Sequence, residues 1–274
     1  MDAPERAVPG RRADQANQAK AALPDAPDRS VADRLLRVLG AFDERHRELT
    51  LSAIAARTDL PLATAHRLVK RLADWGALER GEGGAYHIGL RLWEVATLAP
   101  RGLGLRQAAL PFMEDLYETT HENVQLAVLD GTDTVYIELI SGRSAVIVRT
   151  RIGSRWPLHA TGVGLVLLAY SAPELQERIC AAPLQRFTDY TITDPVRLRA
   201  VLADVRRTGG VLSDRQITPD AVSVAAPVRD GRGTVAAAVS LVVPHADGDA
   251  HALLPAVRLA ARGISRALGW SGSV

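Results

Sequence analysis

Residues 59–76 read Asp59-Leu60-Pro61-Leu62-Ala63-Thr64-Ala65-His66-Arg67-Leu68-Val69-Lys70-Arg71-Leu72-Ala73-Asp74-Trp75-Gly76. The apolar residues of this stretch have the i, i+3, i+4, i+7 spacing of one buried helical face: Ala65, Leu68, Val69 and Leu72. Pro61 suits the first turn of a helix, and Gly76 suits the position just past its end. The spacing therefore predicts an amphipathic helix over residues 61–75.

The opposite face of this helix has short side chains at its start and is basic further on: Ala63, Thr64, Arg67, Lys70 and Arg71. Small residues at the leading end let a helix backbone approach the floor of the DNA major groove. Thr64 and His66 can reach base edges or phosphates, and Arg67 can bind a guanine or a phosphate through its guanidinium fork. The alternative is an ordinary surface helix with a solvated basic face.

The sequence just before this helix favours the DNA-binding interpretation. Residues 51–58 form a second, shorter helical pattern, with Thr50 as its candidate N-cap. The two helices meet across residues 59–61, a joint short enough for a helix-turn-helix. We include Ser52, on the shorter helix, among the expected DNA contacts.

The sequence just after it predicts a β-hairpin. Residues 78–80 and 85–88 flank the glycine-rich stretch 81–84, which is typical of a hairpin turn. Such a hairpin would form the wing of a winged helix, and Arg80 is a further expected DNA contact. A helix over residues 31–42, capped by Ser30, completes a predicted DNA-binding domain over residues 30–88.

Composition limits the remaining possibilities. The chain has 274 residues, 47% of them hydrophobic and only 4% aromatic, which is enough for two aliphatic cores. Its formal charge of +2 is too small to indicate nucleic-acid binding by itself, so the basic signal is local. No apolar run is long enough to span a membrane, and residues 1–29 lack the apolar segment of a signal peptide. These features predict a cytoplasmic protein with no membrane partner.

Two short observations exclude common kinds of site. A single cysteine, Cys180, excludes an intrachain disulfide and a multi-cysteine zinc site, and its helical surroundings favour a buried, structural role. The seven histidines include no HExxH pair, so we expect no metal and no cofactor.

Residues 1–29 carry almost no large apolar side chains and are expected to form a disordered tail.

The second half of the chain alternates between helical and strand patterns. A linker helix is expected within residues 89–104, and the domain that follows it, residues 105–270, has these elements: helices over 105–120, 158–169, 173–182, 195–208 and 250–268, and strands over 124–129, 134–140, 146–148, 211–213, 222–228 and 235–243. Strands on both sides of a helical middle predict an α+β fold with an antiparallel or mixed sheet.

Four motifs in this order resemble those of the IclR family of bacterial transcriptional regulators. They are Leu60-Pro61-Leu62-Ala63-Thr64-Ala65-His66-Arg67-Leu68, Tyr86-His87-Ile88-Gly89-Leu90-Arg91-Leu92, Pro157-Leu158-His159-Ala160-Thr161-Gly162-Val163-Gly164 and Ala225-Ala226-Pro227-Val228. The resemblance covers about residues 30–268. It implies an N-terminal winged helix-turn-helix, a linker helix used in dimerisation and a C-terminal GAF-like α/β domain that binds a small effector. Family members are typically dimers or tetramers on palindromic operators, as repressors or activators.

The linker helix is rich in apolar residues for a connector: Leu92, Val95, Ala96 and Leu98. We expect this apolar surface to pair with a second subunit. Packing on its own chain is the alternative.

The resemblance also implies the effector-binding residues: Thr161, Gly162, Val163, Asp214, Ser223 and Ser240. Free N–H groups at the start of the helix after Thr161 favour a carboxylate, whereas an ionised Asp214 would favour a hydroxyl or an amine. Leu165 stands where the family often has lysine, and Ser223 stands where it often has cysteine. We therefore expect a neutral or aromatic organic acid rather than a dianion. The alternative is that Ser223 and Ser240 are ordinary strand residues and Thr161 is only an N-cap.

An enzyme is the competing class, namely a hydrolase-like α/β protein with a fused helical domain. Residues 263–267 read Gly263-Ile264-Ser265-Arg266-Ala267 and nearly match a nucleophile elbow. They lie inside a continuous helical pattern, which favours a serine on a helix surface. The two-glycine stretches 102–104 and 162–164 lack the third glycine of a dinucleotide fingerprint. We expect no catalytic residues.

Overall fold

The computed structural model describes residues 30–43, 45–99, 102–142, 145–148, 150–246 and 250–272. The predicted tail over residues 1–29 lies outside them. The chain divides into two compact units, Met1–Ala99 and Pro100–Val274. The division falls within the segment where a linker helix is expected.

The first unit combines helices with a small hairpin, in this order: α1 (Val31–Leu39), α2 (Leu51–Thr58), α3 (Leu62–Trp75), β1 (Leu78–Arg80), β2 (Tyr86–Ile88) and α4 (Leu90–Ala96). Ser30 caps α1, since its hydroxyl accepts a hydrogen bond from the Asp33 N–H at 3.0 Å while the Asp33 carboxylate accepts one from the Ser30 N–H. The helix ends at Leu39, earlier than predicted, because Gly40 follows.

The apolar stripe of α3 forms the centre of this unit. Its four residues are buried as the spacing predicted, and Leu68, Val69 and Leu72 pack with apolar residues of α1 and α2, among them Val38 and Ile54. β1 and β2 pair antiparallel, with Glu79 opposite His87. The predicted winged helix-turn-helix is thereby confirmed.

The second unit is a helix-covered sheet with this element order: α5 (Leu103–Thr120), β3 (Asn123–Asp130), β4 (Asp133–Ile140), β5 (Arg155–Pro157), α6 (Gly162–Ala169), α7 (Pro173–Ala181), α8 (Pro195–Thr208), β6 (Val211–Asp214), β7 (Ala221–Arg229), β8 (Val235–Pro244), a 3₁₀ turn (Ala250–Leu253) and α9 (Leu254–Ala267). The strand order is β5-β4-β3-β8-β7-β6, with every neighbouring pair antiparallel. Helices α5 and α9 pack on one face, and α6 and α8 on the other. The α+β fold is as predicted.

One predicted strand is wrong. Residues 146–148 are not in the sheet, although their β-branched pattern favours a strand, and β5 (Arg155–Pro157) pairs with β4 instead. Side chains of β3 hold the segment over one sheet face: the Asn123 amide donates to the Val146 carbonyl at 2.8 Å. The Gln125 amide donates to the Thr150 hydroxyl at 2.5 Å. A side-chain tether of this kind leaves no trace in strand periodicity.

The helix predicted over residues 158–169 begins later, at Gly162. Thr161 has an extended backbone (φ −117°, ψ 150°), and its hydroxyl accepts a hydrogen bond from the Gly164 N–H at 3.0 Å. Thr161 is therefore the N-cap, and the helix does not include the residues before it.

Candidate nucleic-acid interface and ligand cavity

A tight turn joins the two helices of the helix-turn-helix. Asp59 adopts a left-handed conformation (φ 52°), which aspartate tolerates better than most residues, and its N–H donates to the Ala55 carbonyl. The Leu60 N–H donates to the same carbonyl at 3.1 Å. Pro61 then serves as the N-cap of α3 rather than its first residue. The turn fixes where α3 begins relative to α2.

The outward face of α3 carries the expected DNA contacts. Ala63, His66, Arg67, Lys70 and Arg71 are exposed, and Thr64 is half-buried at the leading end. Lys70 pairs with Asp74 at 3.0 Å, which neutralises part of its charge. Within the described residues, Arg67 and Arg71 form no ion pair, so their guanidinium groups are available to an anionic partner.

The two remaining expected contacts lie on neighbouring elements of the same unit. Ser52 is exposed in the first turn of α2, and Arg80 is exposed at the end of β1. The Arg80 Nε donates to the Gly84 carbonyl at 3.4 Å, and its guanidinium lies 5.8 Å from the Tyr86 ring centroid. The wing turn thus holds the Arg80 side chain near the surface of the hairpin.

Arg57 has a positioning role that sequence reasoning missed. Its Nε donates to the Ala41 carbonyl at 2.8 Å, and its Nη2 pairs with Asp43 at 2.7 Å. Burial acts to raise the pKa of Asp43, but hydrogen bonding to His46 and the nearby charges of His46 and Arg57 outweigh it, so the pKa is lowered. The carboxylate fastens the loop after α1 to α2.

The second unit contains a cavity at the start of α6, on the sheet face that α6 covers. Its volume is about 50 Å³, several times the room that one ordered water requires. Among the residues that the structure describes, none that lines the cavity is charged. The polar lining residues are Gln125, Tyr136, Thr150, Thr161, Ser213, Gln216, Thr218 and Ser223.

Three of the six expected effector-binding residues meet at this cavity: Thr161, Gly162 and Ser223. A Cβ on Gly162 would lie 2.6 Å from the Ser223 hydroxyl oxygen, so only glycine allows α6 to approach β7 this closely. The first N–H groups of a helix have no intrahelical acceptor and carry a partial positive charge. The Thr161 hydroxyl already accepts from the Gly164 N–H, and an anionic group bound beside Gly162 could accept hydrogen bonds from the remaining first N–H groups of α6.

Tyr136 contributes a buried phenol. Burial raises its pKa above the usual value, and a hydrogen bond with Thr161 offsets this only in part. The phenol is therefore neutral near pH 7 and can donate a hydrogen bond. Gln216 is fixed by its neighbours, since its Oε1 accepts from the Ile192 N–H at 3.1 Å and its Nε2 donates to the Ser213 hydroxyl at 3.1 Å.

The other three expected residues do not line the cavity. Val163 is buried in the core between α6 and the sheet. Asp214 pairs with Arg215 at 2.9 Å and with His245 at 3.1 Å. Its neighbour Ser213 lines the cavity in its place, because side chains alternate along a strand.

Ser240, the third of these, is enclosed within the sheet. It is completely buried, and its hydroxyl has no hydrogen-bond partner among the described residues. Its strand partners are Gln125 on one side and Ala225 on the other.

Sequence reasoning did not select Gln125, Tyr136 or Gln216. Strand alternation predicts that Gln125 and Ala127 share a face, but it does not reveal which face α6 covers.

The near match to a nucleophile elbow is a structural serine. Ser265 lies in α9, its hydroxyl donates to the Ala261 carbonyl at 2.6 Å, and it accepts from the Arg229 N–H at 2.8 Å. It is buried, contrary to the expected helix surface, because it ties α9 to β7.

Within the described part of the chain, no helix is long and apolar enough to cross a membrane, and no three His, Cys, Asp or Glu side chains are grouped around a common point for a metal ion.

Comparison with known proteins assigns both units. The IclR helix-turn-helix domain matches residues 31–82, and the bacterial transcriptional regulator IclR C-terminal domain matches residues 98–266. The crystal structure of an IclR homolog complexed with 4-hydroxybenzoate, from Microbacterium hydrocarbonoxydans, is 39% identical with a TM-score of 0.83, covering 87% of this chain and 99% of that one.

Curated relatives agree with this assignment. The HTH-type transcriptional regulator XynR of Escherichia coli K12 is 33% identical over 211 residues, which is 76% of this chain and 84% of XynR. The HTH-type transcriptional repressor AllR of Klebsiella pneumoniae is 32% identical over 248 residues, 86% of this chain and 89% of AllR.

Proposed function

Because the chain belongs to the IclR family of bacterial transcriptional regulators, we propose that it binds a palindromic DNA operator and that a small organic acid in its cavity changes the affinity for that operator. The protein acts by binding, without catalysis and without a cofactor. The observation that carries the DNA-binding part is the outward face of α3, where Arg67 and Arg71 are exposed and unpaired within the described residues.

In this proposal α3 lies in the major groove. Ala63 and Thr64 face the groove floor, His66 and Arg67 reach base edges, and Lys70 and Arg71 bind phosphates. Ser52 and Arg80 add contacts to the DNA backbone from α2 and the wing.

The proposed effector is an aromatic acid with a single negative charge, of the class of 4-hydroxybenzoate. The described residues that line the cavity carry no charge, which supports this class, since among them a dianion finds no counter-charge. The carboxylate would accept hydrogen bonds from the first N–H groups of α6, near Thr161 and Gly162. Neutral donors such as Tyr136 and Gln125 would bind a ring hydroxyl.

We also propose that the protein works as a homodimer or tetramer paired through α4 and the residues after it. Leu90, Trp93, Val95 and Leu98 are exposed, Leu98 to 79%, and apolar surface of this extent favours a second copy. Leu92 instead packs against the core of its own unit. Leu98→Asp should lower the dimer fraction seen by light scattering at micromolar concentration, and a parent protein that is already monomeric would contradict the pairing.

One pair of experiments tests the proposed function. A mobility shift with DNA from the promoter region of this gene should show specific binding that excess random DNA does not remove. Thermal shift with a panel of small carboxylates should show stabilisation by aromatic monoacids and less by dicarboxylates. Turnover of an ester substrate without any DNA binding would favour the enzyme alternative instead.

A further inference from the structure

A buried carboxylate in the second unit takes no part in the cavity. Glu138, on β4, has a side chain that is only 5% exposed, and its Oε2 forms an ion pair with the Arg106 Nε of α5. Its Oε1 accepts a hydrogen bond from the Leu139 N–H at 2.9 Å. Among the described residues Oε2 accepts no hydrogen bond that meets geometric criteria, and Arg106 is the cation paired with it. Removing one partner of such a pair leaves an uncompensated charge, which costs more than removing both.

An irregularity in β4 sets the direction of this side chain. Leu126 of β3 lies opposite Glu138, and its neighbour Ala127 lies opposite Tyr136, so Ile137 is an extra residue in β4. In a regular strand Tyr136 and Glu138 would face the same side. The bulge instead directs Tyr136 to the cavity and Glu138 to the opposite face, where α5 packs.

Arg106 lies at the point where the second unit begins. It is in the first turn of α5, which starts at Leu103, and six residues (97–102) separate α5 from the end of α4 in the first unit. Among the elements of the second unit, the first turn of α5 is therefore the nearest in the chain to the DNA-binding unit.

We propose that the Arg106–Glu138 pair couples occupancy of the cavity to the position of α5. A ligand that contacts Tyr136 displaces β4 at the bulge, because the close-packed sheet on either side gives way less easily. Glu138 moves with the bulge, and its charge draws Arg106 and the first turn of α5 along. The inference rests on the proposed function and assigns two positioning residues to the regulation of that cavity.

The test compares a neutral pair with a matched control. Arg106→Gln combined with Glu138→Gln removes both charges without leaving either one buried alone. The control, Glu177→Gln combined with Arg199→Gln, removes an exposed ion pair of 2.7 Å between α7 and α8, away from the cavity and from α5. Operator affinity is measured with and without 4-hydroxybenzoate, and the ligand dissociation constant is measured by calorimetry.

In the parent and in the control, 4-hydroxybenzoate should change operator affinity by about fivefold or more, the lower end of typical allosteric coupling. In the neutral-pair variant the change should fall below about twofold, with the ligand dissociation constant kept within about threefold. Arg106→Lys keeps the charge and should keep most of the response. A neutral-pair variant that responds like the parent overturns the inference.

A ligand-free comparison separates this inference from the choice of effector. Ser223→Leu fills part of the cavity with a side chain, and its effect on operator affinity is measured in the parent and in the neutral-pair background. Failure of 4-hydroxybenzoate to bind the parent would contradict the proposed effector, and this comparison then decides the coupling. A change in the parent that is absent from the neutral-pair background supports the inference. Equal effects in both, or none in either, overturn it.

Discussion

The outward face of α3 and the cavity beside α6 are two polar surfaces built on opposite principles. The α3 face is exposed, and its cations Arg67 and Arg71 have no acid paired with them in the described part of the chain. The described lining of the cavity consists of neutral groups such as Tyr136 and Gln125 and includes no charged side chain. Exposed cations that neutralise DNA phosphates release the counterions of the DNA, which favours binding and makes it depend on salt. A small anion in a cavity is held instead by short-range hydrogen bonds. The two surfaces should therefore respond very differently to salt.

The largest effect is expected when an arginine is removed from the outward face of α3. Arg67→Ala should weaken operator binding by about 1–3 kcal/mol and relax the base preference, as the loss of a bidentate base contact does. Arg262→Ala, which removes an exposed arginine of α9, is the control and should leave binding unchanged. Competition binding with operator variants measures both. An Arg67 variant that keeps full affinity and selectivity would show that α3 does not read the operator.

The next largest effect is expected when the cavity is filled. Ser223→Leu places a bulky side chain against Gly162. The space between the two residues is already so small that a Cβ on Gly162 would be crowded by the Ser223 side chain. The apparent affinity for an aromatic monoacid, measured by thermal shift, should then fall at least about tenfold, because the side chain fills the space that the ligand needs. The salt slope of operator binding should stay at the parent value, because no cation has changed. Undiminished stabilisation would mean that the ligand binds elsewhere.

A smaller effect sharpens the electrostatic side of the comparison. Lys70→Ala should weaken binding to all DNA sequences alike and reduce the salt slope by at most about one, as for one phosphate contact. Asp74→Ala is the informative partner, since it frees Lys70 from its 3.0 Å ion pair and should tighten binding slightly. Fluorescence anisotropy at several salt concentrations measures both slopes. A Lys70 variant with altered base preference would contradict the phosphate role.

The smallest effect concerns the scaffold that supports α3. The pKa of Asp43 is lowered in the folded protein, so its contribution to stability is present above the unfolded pKa of about 3.9 and is lost as pH falls through the folded value. Asp43→Asn should therefore lower the free energy of unfolding near pH 6 by about 1 kcal/mol or less, seen as a lower melting temperature, and the difference between variant and parent should shrink below about pH 4. A difference that grows on acidification would contradict this ion pair.

The two surfaces also differ in how far the sequence reveals them. The α3 face is contiguous, so one helical period orders Thr64, Arg67 and Arg71 on one side and Leu68 on the other. The cavity draws on β3, β4, α6, β6 and β7, which are remote in the chain. Local periodicity shows neither which sheet face α6 covers nor the extra residue Ile137 in β4. Thr161, Gly162 and Ser223 were selected only through the family resemblance.

The same limit explains the error at residues 146–148. Their β-branched pattern satisfies the rule for a strand, but the amide groups of Asn123 and Gln125 hold that segment across the sheet face. Tertiary side-chain contacts of this kind override local propensity. Asp214 and Ser213 show a related case, in which a shift of one residue along β6 decides which side chain lines the cavity.

The most direct test measures the salt dependence of two equilibria on one preparation. Operator affinity is followed by fluorescence anisotropy from 50 to about 200 mM salt, and affinity for the best aromatic monoacid by calorimetry over the same range. We predict that the logarithm of operator affinity falls linearly with the logarithm of salt concentration, while ligand affinity changes by less than about twofold. Operator binding that is insensitive to salt, or ligand binding that falls in parallel with it, would contradict the division between an exposed cationic face and an uncharged cavity.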